Sequence, residues 1–195
     1  MYEHISESPL GGGAFCGLCR LLTGARTFAE MLALSSRGDS DKVDLLVRDI
    51  YGEGGYTELG LPADLLANSF GRVFAEDRDL HDFDKAGALD TGWNWIKVRS
   101  ELAQVVRQSD APRVSADLAL ALCRMVCFNA AHLAVLSAKR CGSSHIVFAG
   151  CFVRGRPHTM ELMSHAVRFW SGGEMAALFL RHDGFLAALG ALLAG

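Results

Sequence analysis

No excess of either charge marks this chain: 19 Lys and Arg stand against 22 Asp and Glu, interleaved, for a formal net charge of −3 over 195 residues. A nucleic-acid partner is excluded as an expectation, because such binding rests on a basic face. The opening "MYEHISESPL" lacks the basic stretch and apolar run of a secretory leader. Paired carboxylates, a nucleophile elbow and a metal-ligand cluster are missing too, as are internal repeats and low-complexity tracts. No catalytic residue and no metal ligand is therefore assigned from the residues.

Apolar residues are plentiful. They make up 50% of the chain, enough for a sizeable core in one domain spanning 1–195. The longest apolar run, "ADLALALCRMVCFNAAHLAVLSA" at 116–138, carries Asp117, Arg124 and His132. At about 100° per residue these three fall in one narrow stripe, which predicts a mostly buried helix rather than a membrane span. The expectation is a soluble, cytoplasmic chain with no membrane partner. Six cysteines then read as free thiols. Cys16 and Cys19 form a CxxC and Cys123 and Cys127 a CxxxC, but both pairs sit in apolar helical patterns rather than metal knuckles, so core thiols are expected over zinc or redox chemistry.

Punctuation divides the rest. "AFCGLCRLLTG" reads as a helix ended by Gly24, and "RTFAEMLALSSRG" as one started at Thr27. "DSDKVDLLVRDIYG" reads as a third helix, with acids and a cap at its start and Gly52 at its end. "EGGYTELGLP" is a turn, and "ADLLANSFGRVF" a short helix or an extended segment. Residues 75–112 are strongly charged and read as a surface insertion, with Trp93 and Trp95 in a helix-like part of it. "HIVFAG" at 145–150 predicts a buried strand, "RPHTMELMSHAVRFWSGG" a helix, "MAALFLRHDG" a strand and turn, and "FLAALGALLAG" a closing helix.

Two stretches point to a nucleotide. In "SPLGGGAFCGLCRLLTG", Gly11, Gly12 and Gly13 run into a helix, and bare backbone ahead of a helix leaves N–H groups facing a ligand at the positive end of the dipole. The Lys-Ser/Thr of a P-loop and the spacing of a dinucleotide fingerprint are both lacking, so a tight backbone crossing is the other reading. In "VFAGCFVRG", a strand ends at Gly150 with Arg154 four residues on, where an Arg stacks on a purine or grips a phosphate, or is simply a surface side chain. Arg181, His182 and Asp183 resemble a relay, but neighbours on a turn rarely face one another, and a helix cap at Asp183 is the preferred reading.

In order, "LGGGAFCGLCRLLTG", "LALSSRGDSDKVDLLVRDIYG", "GLPADLLANSFG", "VFAGCFVRG" and "FWSGGEMAALFLRHDGFLAALGALL" closely resemble the C-terminal half of eukaryotic-type (type II) pantothenate kinases. "FVRGRPHTM" and "FLRHDGFLAALGA" look most like the bifunctional kinase and phosphatase branch; the phosphatase domain is not expected here. The resemblance implies an α/β fold, helix-rich with a small sheet, forming the C-terminal lobe of an actin-like kinase of the acetate and sugar kinase superfamily. It implies a dimer, ATP with Mg²⁺, and phosphorylation of pantothenate as the first step of coenzyme A biosynthesis. By the same resemblance Gly11, Gly12, Gly13, Gly150 and Arg154 lie on the nucleotide side. Tyr51, Tyr56, Leu66 and Ala67 match the pantothenate and acyl-CoA pocket, and Ala166 and Trp170 match positions that a dimer partner contributes to it.

The family's N-terminal lobe, with its phosphate hairpin and catalytic acid, is expected upstream of the matched region, so the chain reads as truncated and inactive alone. A family arginine aligns with His4, a hydroxyl pair with Ser8 and Pro9, and an asparagine with Cys151. Those departures support a different reading, a non-catalytic pseudokinase or scaffold that pairs with a kinase subunit.

Overall fold

A computed structural model describes residues 3–75, 111–180 and 183–194. Nearly all of the charged 75–112 segment, with Trp93 and Trp95, lies outside the described residues, as do Arg181 and His182. The chain divides into two compact units, Leu18–Leu122 and the pair Met1–Gly17 with Cys123–Gly195.

Helix α1 (Gly12–Thr23) ends as its sequence predicts: Gly24 adopts φ +74 and donates to the Arg20 carbonyl at 3.0 Å. Helix α2 (Phe28–Ser35) starts from a full capping box. Thr27 Oγ1 accepts the Glu30 N–H at 3.2 Å, while Glu30 Oε2 accepts the N–H groups of Thr27 at 3.2 Å and Arg26 at 2.8 Å. Those N–H groups hold the Glu30 carboxyl below its ordinary range.

The third predicted helix is corrected. Residues 39–52 form a 3₁₀ turn (Ser40–Lys42), a short strand β1 (Leu45–Leu46) and one turn of helix α3 (Val47–Tyr51). Asp39 does cap, accepting the Asp41 N–H at 3.3 Å, but the helix stops there because the chain turns extended to pair with β2 (Leu66–Asn68). The pairing is antiparallel, Leu45 with Asn68 and Leu46 with Leu66, with an irregularity between Leu45 and Leu46. Asp49 then restarts helical geometry by accepting the Leu46 N–H at 2.8 Å. "ADLLANSFGRVF" is both things at once: β2 followed by helix α4 (Gly71–Ala75).

Helix α5 (Ala111–Arg140) carries the long apolar run, buried at Ala119, Ala121 and Leu122 and again at Val126, Ala131 and Val135. By length and composition alone Arg113–Arg140 is long enough to cross a membrane, and half of its most apolar stretch is buried inside the chain. Its polar stripe is put to use rather than left in solvent. Asp117 is buried and accepts the Asp39 N–H at 2.7 Å, Arg124 lies 5.8 Å from the Phe128 ring centre, and His132 stacks on Trp170.

Strand β3 (His145–Phe148), helix α6 (Pro157–Ser171) and strand β4 (Ala176–Phe179) form a parallel β-α-β unit in register from His145 with Ala176 to Phe148 with Phe179. Pro157 opens α6 and Gly172, at φ +65, ends it. The core here joins Phe128, Ala131 and Val135 of α5, Ile146 of β3, and Ala166 and Val167 of α6. The fully buried strand expected at "HIVFAG" is corrected to a half-buried one: Ile146 faces that core while His145 and Val147 are exposed, because the core covers one face only. Among the described residues the sheet content is thus two separate two-stranded sheets, in a helix-rich α/β chain. A 3₁₀ turn (Asp183–Phe185) and helix α7 (Leu186–Ala194) follow.

Candidate functional site

The two nucleotide-pointing stretches meet. Gly12 packs so closely on Phe152 that a Cβ there would lie 3.2 Å from the Phe152 Cβ, and the buried Phe15 ring meets Phe152 edge-on at 5.6 Å. Gly11 and Gly13 face open space. Of the two alternatives read from sequence, the tight crossing is realised at Gly12, while a side chain at Gly11 or Gly13 would meet nothing within 4 Å. Gly150 sits at φ +112, a region that side chains avoid, and its carbonyl accepts the N–H groups of Val153 at 3.2 Å and Arg154 at 3.0 Å. This turn throws Arg154 outward. It is pinned from behind by the fully buried Thr159, whose hydroxyl donates to the Phe152 carbonyl at 2.9 Å.

Beside the turn is a cavity of about 200 Å³ lined by Phe148, Val153, Arg154, Met160, Phe179 and Leu180, with Gly155 at its edge. An apolar slot with one guanidinium at its mouth suits a flat ring bearing a charged group. Gly184 adjoins the same guanidinium, and a Cβ there would lie 2.7 Å from Arg154 Nη1. Sequence reasoning passed over Phe152 and Gly184. Only their places inside "CFVRG" and "RHDG" pointed to them.

In the Leu18–Leu122 unit, Tyr51 and Tyr56 stack at 4.6 Å and 11°, with Tyr51 exposed and Tyr56 half-buried. Tyr56 is held by a two-way backbone bridge to Leu61, at 2.9 and 3.0 Å. Leu66, half-buried, and Ala67, exposed, lie on β2. Around them runs a carboxylate network: the fully buried Asp44 accepts the Phe70 N–H at 3.0 Å, Asp49 meets Arg72 at 2.7 Å, and Arg48 donates to Asp41. Bonds from the Leu46 N–H and from Arg72 hold the Asp49 carboxyl below its usual range.

Ala166 and Trp170 belong to the other unit. Ala166 is fully buried in its own chain's core, and Trp170 is half-buried, stacked on His132 at 4.1 Å and set edge-on to Phe169 at 4.9 Å. Its indole N–H is buried without a hydrogen-bond partner among the described residues. His4 lies 3.7 Å from Glu7 on an exposed segment, and Cys151 is exposed. Of the four thiols expected in the core, Cys19, Cys123 and Cys127 are buried, whereas Cys16 is only half-buried. A sulfur hydrogen bond with Cys123 and burial push the Cys127 thiol above its ordinary range.

These features define a helix-rich α/β protein in which a glycine-opened helix abuts a strand-end turn. A family model described as Fumble matches residues 1–194, and the chain belongs to that family. It is similar to pantothenate kinase 2 of Arabidopsis thaliana, 40% identical over 98% of this chain and 18% of that protein. Pantothenate kinase of Schizosaccharomyces pombe is 36% identical over 98% of the chain and 40% of its own length. The 4'-phosphopantetheine phosphatase of Mus musculus is 39% identical over 100% and 20% respectively. The chain thus spans well under half the length of these relatives.

Proposed function

We infer that this chain supplies the C-terminal lobe of an actin-like pantothenate kinase and works in coenzyme A biosynthesis as an ATP-dependent phosphotransferase in the cytoplasm. One observation carries the reading: the glycine start of α1 and the Gly150–Arg154 turn, separated by more than a hundred residues, pack on one another through Phe152. In this reading the whole of 1–195 is one lobe. The bare N–H groups at Gly11 and Gly13 receive phosphate oxygens, and Arg154 lies over the purine at the mouth of the slot. Tyr51, Tyr56, Leu66 and Ala67 face pantothenate or an acyl-CoA, with Ala166 and Trp170 beside a second protomer of a homodimer.

In this reading Mg²⁺ arrives with the ATP phosphates, and no step is assigned to it. No catalytic acid is assigned to this chain either. Phosphoryl transfer depends chiefly on positioning and electrostatics, and the contribution proposed here is positioning.

The test separates binding from turnover. The purified chain should bind MgATP, measured by calorimetry, with Arg154→Ala weakening it about tenfold, and should give no phosphopantothenate above background. Absence of ATP binding overturns the nucleotide assignment, and turnover by this chain overturns the assignment of catalysis to residues elsewhere. A second reading, a non-catalytic scaffold for a kinase subunit, rests on His4, Pro9 and Cys151, with His4 paired to Glu7 rather than directed at a phosphate. It is favoured if His4→Arg leaves ATP binding unchanged while a separate kinase subunit co-purifies.

A further inference from the structure

Residues 43–49 and 63–72 are bonded to one another over a longer stretch than the two short strands imply. The Val47 N–H donates to Leu65 and the Arg48 N–H to Ala63, each at 2.9 Å, and the Arg72 N–H donates to Val43 at 3.1 Å. Carboxylates tie the two segments together at two points. Asp44, with no exposed surface, reaches across to the Phe70 N–H at 3.0 Å. Phe70 is the one non-glycine residue with positive φ among the described residues, at +61°, a conformation that costs a bulky side chain on the order of 1 kcal/mol or more. Gly71 follows with no room for a side chain, since a Cβ would lie 2.7 Å from the Leu45 Cβ. Further along, Asp49 accepts the Leu46 N–H at 2.8 Å through one oxygen and Arg72 at 2.7 Å through the other.

We propose that Asp44 and Asp49 are positioning residues: together they form a carboxylate clamp that fixes α3, which carries Tyr51, in register with β2, which carries Leu66 and Ala67, and so shapes the acyl-pantothenate side of the site. The inference rests on the functional reading above for the identity of the ligand. It rests on the geometry alone for the clamp. An apolar contact would slide along so short a ladder, because two- and three-residue strands specify register poorly. A buried carboxylate on a strained N–H does not slide. Phe70 in this conformation packs its side chain against the cluster of Val43, Leu118 and Ala121, and the Asp44 bond helps offset the backbone cost.

The experiment measures amide hydrogen exchange across 44–73 and acetyl-CoA binding by calorimetry on the same samples of the whole chain. Asp44→Ala should expose the Phe70 amide to exchange and weaken acetyl-CoA about tenfold, whereas Asp44→Asn, which keeps an oxygen for that N–H, should restore protection and come within about threefold of the parent. Asp49→Ala should act similarly without touching the core. If Asp44→Ala does not fold, the Asn variant and Asp49→Ala carry the test. Unchanged exchange at Phe70 in Asp44→Ala, or across 61–73 in Asp49→Ala, overturns the clamp. Failure of the parent chain to bind acetyl-CoA removes the ligand assignment instead, while the exchange measurement still judges the clamp.

Discussion

The two pairs of strands are held by different forces. β1 and β2, of two and three residues, depend on carboxylates aimed at backbone N–H groups: Asp44 to Phe70, Asp49 to Leu46 and, next door, Asp117 to Asp39. β3 and β4 pair over four residues each, with Phe148 stacked on its cross-strand partner Phe179 at 5.8 Å, and α5 and α6 press an apolar layer of Phe128, Val135, Ile146 and Val167 onto one face. Hydrogen bonds to a charged group are directional, whereas apolar burial is not. In the Leu18–Leu122 unit the β1–β2 pairing thus takes its geometry from polar contacts beside an apolar cluster of Val43, Leu118 and Ala121, and the β-α-β unit takes it from volume. The two should fail differently when mutated.

The largest effect belongs to the packed unit. Phe15 is fully buried and edge-on to Phe152, so Phe15→Ala should cost about 3 to 5 kcal/mol in urea unfolding and loosen the glycine start of α1 along with it. Phe15→Leu should recover most of that loss. If Phe15→Leu unfolds as readily as Phe15→Ala, shape rather than volume governs this unit.

The polar unit should show the reverse preference. Asp117 is buried, accepts the Asp39 N–H at 2.7 Å and lies 3.9 Å from Lys42. Asp117→Ala strands that N–H and should cost about 2 kcal/mol, and Asp117→Leu, which fills the space but offers no acceptor, should be no better. Asp117→Asn should recover part of the loss. A stable Leu variant would mean that packing holds both units and would dissolve the contrast. Thr27→Ala is the smaller version of the same test: removing one side of the capping box should cost about 1 kcal/mol, confined to the start of α2.

How legible all this was in sequence follows the same division. Elements set by local chemistry were readable: Thr27 starting α2, Gly24 ending α1, and the β-branched run of β3. The 39–52 segment was misread as one helix because its apolar spacing suits a helix, while its outcome is decided by Leu65 and Ala63, which draw Val47 and Arg48 into a ladder. No local pattern encodes such a partner. The glycines at 11–13 could be read as a loop for phosphate or a tight crossing, and only the approach of Phe152, some 140 residues on, shows that Gly12 makes a tight crossing. Tyr51 and Tyr56 were reached through family resemblance; their stacking depends on the Tyr56–Leu61 bridge, which spacing alone does not reveal.

Acidification gives the finest test of the contrast, because the two units depress pKa values for opposite reasons. In the packed unit, burial at the start of α6 pushes the His158 pKa below its ordinary value of 6.5, with Glu161 opposing. Burial disfavours the charged ring, so between the folded pKa and 6.5 the unfolded chain binds more protons than the folded one, and stability falls as pH drops through that window. In the polar unit, the N–H groups of Leu46 and of Arg26 and Thr27 favour the charged carboxylates of Asp49 and Glu30, whose folded pKa values lie below 3.8 and 4.5. Their stabilisation is present above those values and is lost only as pH falls through the lower folded ones. Between pH 7 and 5, therefore, amide protection should fall across α6 and hold across α2 and α3. His158→Gln, which cannot titrate, should flatten the α6 response and leave the other unit unchanged. Parallel loss of protection in both units would mean that they unfold as one cooperative body, and the separation between a polar and a packed unit would then describe their construction without describing their stability.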